Sequence, residues 1–103
     1  MNYDMQAPLI GFNGDSIKKS ETDDSPVTLG ETLSMACVNA SPQKYADGEA
    51  KLKVYRVLQK IGVKDIGEVE LEAEEITLLK ALVGDMYGVA VVGAVEDLLE
   101  QRH

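Results

Sequence analysis

Histidine, cysteine and the large aromatics are nearly missing from this chain, and each scarcity excludes something. The one histidine is His103, at the C-terminal end of the sequence, where chain ends fray. The commonest general base and metal ligand is therefore lacking everywhere else. The one cysteine, Cys37, excludes an internal disulfide and fits a reducing cytosol. One Cys and one His cannot build a structural zinc site. With no Trp and a single Phe, the core must be made from Leu, Ile, Val, Ala and Met. No run approaches the roughly 18 apolar residues of a membrane span. The opening "MNYDMQAPLI" lacks the basic and long apolar regions of a signal peptide. A cytoplasmic protein is expected. "NAS" at 39–41 is a chance sequon, since Pro42 follows it.

Positive charge is also scarce. Ten Lys and Arg face 18 Asp and Glu, a net charge of −8. Duplex binding normally needs a basic footprint to neutralise phosphates, so no direct nucleic-acid partner is expected. A charged partner should be basic. Walker, dinucleotide, zinc-protease and nucleophile-elbow motifs are absent. The expectation is a non-enzymatic protein with no cofactor and no metal.

What is present suits one domain. The chain has 103 residues, 45% of them hydrophobic, enough for a modest core. "APLIGFNGDSIKK" carries Asn13-Gly14 between two apolar runs, the strongest short hairpin signal. A two-residue turn would pair Phe12 with Asp15, Gly11 with Ser16 and Ile10 with Ile17. Ile10, Phe12 and Ile17 would then share one face of the ribbon, and Leu9, Gly11, Ser16 and Lys18 the other. Residues 19–26, "KSETDDSP", predict a mobile acidic loop. Its acids lack calcium-loop spacing and the essential glycine.

"TLGE" then predicts a helix start, with Thr28 as N-cap and Glu31 closing a capping box. Leu29, Leu33, Cys37 and Ala40, with Ala36 beside them, form its apolar stripe, and Asn39 and Pro42 stop it. Cys37 is expected as a small core residue rather than a nucleophile. Gly30 is an odd choice inside the first turn. Asp47 is a good N-cap for a second helix that ends at Gly62. Leu52, Tyr55, Leu58 and Ile61 read as its inner stripe, with Val54 and Val57 close by. "EVEL" alternates, so Val69 and Leu71 predict a short third strand joining the hairpin. "AEEITLLKALVGDM" predicts a third helix with Ile76, Leu79, Leu82, Val83 and Met86 inward. "VAVVGAVEDLLEQ" predicts a fourth, with Val91, Val92, Val95, Leu98 and Leu99 inward. Small Gly93 and Ala94 would let a neighbouring helix approach. The last two helices form an αα-hairpin. The expected fold class is α+β: an N-terminal β-hairpin with a short third strand on about four helices.

Charge is segregated along the middle of the chain. Residues 50–64 carry five bases and no acid, whereas 65–75 carry six acids and no base. Lys53, Arg56, Lys60 and Lys64 fall on one helical stripe. Glu68, Glu70 and Glu72 alternate, which would place them on one strand face. There they guard an edge against pairing, or bind a cation or raise one another's pKa. The basic and acidic segments can screen each other within one chain. They can also meet between copies, head to tail. These seven residues are the candidate partner-binding set.

"PLIGFNGDSIK", "TLGETL", "CVNA", "GEAKLKVYRVLQKI" and "VELEAEEITLLKALVGDMYGVAVVGAVEDLLE" resemble small uncharacterised proteins of tailed phages and prophages. The resemblance covers most of the chain after Met5 and brings no catalytic residues. It implies an accessory protein that binds a phage structural or host protein, with phage assembly as the expected setting. The alternative is an acidic regulator of a host transcription or DNA-binding protein. No membrane partner is expected, and a homo-oligomer is compatible with either reading.

Overall fold

Helix boundaries fall where capping chemistry puts them. In the computed structural model, which describes residues 2–19, 22, 25–41, 43–63 and 66–100, α1 spans Leu29–Val38. The Thr28 hydroxyl accepts from the Glu31 amide at 3.3 Å. The Glu31 carboxylate turns to Lys19, 3.1 Å away, instead of closing the box. Helix α2, Gly48–Ile61, starts on Asp47, whose carboxylate accepts from the Glu49 and Ala50 amides at 2.7 and 3.3 Å. A Glu72–Glu75 capping box opens α3, Ala73–Met86. Tyr87 and Gly88 separate it from α4, Val89–Leu99.

The strands are short. Asn2–Asp4 forms β1 and Glu68–Glu70 forms β2. They pair antiparallel, with Tyr3 opposite Val69. The expected third strand thus exists, but its partner is the segment before the hairpin. β1 then continues as a seam. Met5 donates to Gly67 O at 2.9 Å, and Met5 and Ala7 carbonyls accept from the Gly30 and Leu29 amides at 2.9 and 2.8 Å. The seam therefore satisfies two of the four amides that a helix N-terminus leaves unpaired. It also explains Gly30. A Cβ there would lie 3.0 Å from both Cβ and O of Met5, so close approach to the seam requires glycine. Buried Tyr3 donates from its hydroxyl to Leu99 O at 2.6 Å, tying β1 to the end of α4.

The hairpin forms in a different register from the one expected. Gly11 N–H donates to Asp15 O at 2.8 Å, Gly14 N–H to Gly11 O at 3.0 Å, and Ile17 N–H to Leu9 O at 2.8 Å. The loop is three residues, Phe12-Asn13-Gly14, with Gly14 at φ +87°. This is a three-residue loop closed by a left-handed glycine, the next commonest hairpin class after the two-residue one. One extra loop residue moves the pairing by one, which puts Leu9 instead of Ile10 and Phe12 on the face of Ile17. Leu9 is fully buried and Ile17 packs on the core, while Ile10 and Phe12 face out.

Two further bridges, Lys18 with Pro26 and Pro8 with Thr28, bring the chain back onto its own first arm. Leu9 donates to Val27 O at 2.9 Å, Val27 to Ile17 O at 2.8 Å, and Ile17 to Leu9 O. These three residues close a ring of backbone hydrogen bonds, so at their level no arm is left as an open edge. Residues 20, 21, 23 and 24 of the expected acidic loop lie outside the described residues.

Helix α1 is central. It packs on both α2 and α3, and α3 packs on α4 as the expected αα-hairpin. The buried cluster joins Leu9 with residues of β1, β2 and all four helices, including Leu33, Val57, Leu79 and Val95. The inner stripe of α2 is Val54, Val57 and Ile61 with part-buried Leu58. Leu52 and Tyr55 are 47% and 55% exposed, contrary to the three-residue repeat. Three residues advance only about 300° around a helix of 3.6 residues per turn, so such a series drifts off one face. Met86 is likewise exposed. Ala94 is buried, but a Cβ on Gly93 would meet nothing within 4 Å, so Gly93 serves no helix contact. No described helix is long and apolar enough to cross a membrane.

Candidate functional site

Because α2 and α3 both rest on α1 and scarcely touch each other, a groove of about 770 Å³ lies between them. Val57 and Leu78 give it an apolar lining. Lys53 and Arg56 stand on the α2 side, and Glu74, Glu75, Thr77 and Ala81 on the α3 side. Lys53, Arg56 and Lys60 are spaced by three and four residues, so the helix projects all three from one face.

Only Lys60 of that row is engaged. Its ammonium donates to both Glu75 carboxylate oxygens, at 2.7 and 3.0 Å, and to Glu70 O at 3.3 Å. Glu75 in turn accepts from the Glu72 amide at 2.9 Å. Partial burial opposes ionisation of Glu75. Hydrogen bonds from Lys60 and Glu72, with the Lys60 charge, overcome that and hold its carboxyl below its ordinary value. This cluster joins α2, β2 and α3 at one end of the groove.

Lys18 aside, the other described cations divide in two. Lys19, Lys44 and Lys80 pair with Glu31, Asp85 and Glu100. The hydrogen bond from Lys44 to Asp85, with the Asp85 charge, pushes its pKa up. The side chains of Lys51, Lys53 and Arg56 make no hydrogen bond or ion pair, and all three lie on α2. Lys64 lies outside the described residues.

The three alternating glutamates do not all lie on the strand. Strand β2 ends at Glu70, so Glu68 and Glu70 share its exposed face while Glu72 caps α3. All three nevertheless border a pocket of about 360 Å³ beside Lys60. Among the described residues no group of three or more His, Cys, Asp or Glu side chains is placed to hold a metal ion. Cys37 is buried, and burial pushes its thiol up to about 11. It stays protonated at neutral pH, the inert state of a core cysteine.

Sequence reasoning identified the basic row but missed its opposite wall. Glu75 as partner of Lys60, and Leu78 and Thr77 as groove residues, depend on where α3 lands on α1. The one sequence signal was Leu78, an apolar residue outside the inner stripe expected for its helix. No protein-family model, curated protein or solved structure matches the chain.

Proposed function

We propose that the chain is a non-enzymatic, protein-binding accessory protein that takes an acidic, partly apolar segment of a partner into the groove between α2 and α3. The observation that carries this reading is the free charge on α2. The chain has an excess of eight acids over bases, yet Lys53 and Arg56 stand unpaired beside an apolar lining. Arginine next to a desolvated apolar surface is a common anchor of protein interfaces. A segment with a carboxylate toward α2 and apolar side chains over Val57 and Leu78 complements both features. This partner chemistry is the reverse of what net charge alone suggests, because within the groove Lys60 offsets Glu75 and only Glu74 stands against Lys53 and Arg56, while acids beyond a Debye length are screened. The resemblance to small phage and prophage proteins makes a virion component or a host protein the natural source of such a segment.

The test uses a photo-crosslinking residue at Ala81 on the groove wall, in a lysate of a prophage-induced host. Wild type and the Lys53→Glu/Arg56→Glu variant are compared, with mass spectrometry of the adducts. The expected result is a defined adduct with an acidic segment of a phage structural or host protein, lost in the double variant. Equal adducts from both proteins would refute the groove as the site. Recovery of basic DNA-handling proteins by both, lost at high salt, would favour the acidic-regulator reading instead.

A further inference from the structure

The changed hairpin register leaves an unusual apolar surface between the hairpin and α4. Phe12, the only phenylalanine, is 94% exposed at the hairpin tip, and Val89, at the start of α4, is 92% exposed. Ile10, 47% exposed, lies with them along a groove of about 400 Å³ between the hairpin and α4. Its helical wall is made of Val89, Ala90, Gly93 and Ala94, and Asp97 is the one charged residue lining it. The space above Gly93 is open, since an added Cβ would touch nothing within 4 Å.

From this we infer that the Phe12–Val89 patch is a two-fold interface between copies of this chain, with each Phe12 ring seated over the partner copy's Gly93. A protruding ring and an open, small-residue groove lie side by side on one face. That is the condition for an isologous contact, in which one patch must complement itself. A partner of another kind would need only one of the two features. The area agrees. Phe12, Val89 and Ile10 together expose on the order of 400 Å² of apolar surface, near the largest patch of a typical monomer. Two copies bury roughly twice that at the centre, which suits the apolar core of a standard interface of about 1,200–2,000 Å² with a polar rim. Each copy carries −8, so long-range repulsion opposes pairing and salt relieves it. The dimer therefore tightens as salt rises, whereas binding through Lys53 and Arg56 weakens.

Sedimentation equilibrium over a wide concentration range, at about 50 and 500 mM NaCl, tests this on the full chain. The variants are Phe12→Asp, which changes an exposed loop residue, and Gly93→Leu, which fills the groove at an open helix position. Wild type is expected to show a monomer–dimer equilibrium that tightens at high salt. Each variant should weaken it at least tenfold with an unchanged far-UV spectrum. A wild type monomeric throughout overturns the inference, as does a dimer indifferent to both substitutions. The Lys53→Glu/Arg56→Glu variant should dimerise like wild type at about 500 mM NaCl, where its added negative charge is screened, so failure of the groove reading and failure of this one are distinguishable.

Discussion

Glycine-to-alanine exchange inside a helix ordinarily stabilises a protein, by up to about 1 kcal/mol, yet at Gly30 the opposite is expected. Gly30 is the second residue of α1. An alanine methyl there would sit 3.0 Å from Met5 Cβ and 3.0 Å from Met5 O, inside ordinary contact distance. The outcome depends on whether Met5 can retreat. Its amide is held by Gly67 O at 2.9 Å, its carbonyl by the Gly30 amide at 2.9 Å, and its side chain is fully buried. Retreat would therefore loosen the seam between β2 and α1. Overpacking of this kind costs roughly 1–3 kcal/mol. Set against the propensity gain, Gly30→Ala should lose about 1–2 kcal/mol. Gly84 is the control. It lies within α3, and a Cβ there would meet nothing within 4 Å, so Gly84→Ala should gain about 0.5–1 kcal/mol. At roughly 4–8 °C per kcal/mol for a domain of this size, the two variants should move Tm in opposite directions. Thermal unfolding by circular dichroism measures both. A rise in Tm for Gly30→Ala comparable to that of Gly84→Ala would refute the account of the seam.

Two more predictions concern the hairpin and the charge cluster. Gly14 sits at φ +87°, which a β-branched residue resists, so Gly14→Val should lower stability by about 1–2 kcal/mol. An unchanged denaturant midpoint would remove the left-handed turn. Glu75 is held below its ordinary pKa of 4.5. A depressed carboxyl contributes stability above its unfolded value, and that contribution is lost as pH falls from 4.5 through the folded value. Lys60→Met removes the principal partner of Glu75. The variant should therefore acid-unfold at a higher pH than wild type, as read by far-UV ellipticity, and coincident acid transitions would argue against the cluster.

Local chemistry was legible in the sequence wherever a feature depends on neighbours in the chain. Thr28 and Asp47 mark the starts of α1 and α2 because a capping side chain bonds amides two or three residues away. The Lys53–Arg56–Lys60 row follows from helical spacing alone. So does the α+β class, from Asn13-Gly14, the alternation at 68–71 and four runs of helical period. Tertiary structure decided what those elements meet. Asn13-Gly14 announces a turn, but the two- and three-residue loops differ by one position. Only burial of Leu9 against the helices chose the register that turns Phe12 outward. Likewise, β2 pairs with Asn2–Asp4, three residues too short to show a period by themselves. Lys60 finds Glu75 while Lys53 and Arg56 find no partner, because α3 is set by its packing on α1. Each of these outcomes is a choice between locally equivalent alternatives, and long-range burial distinguishes them where local geometry does not.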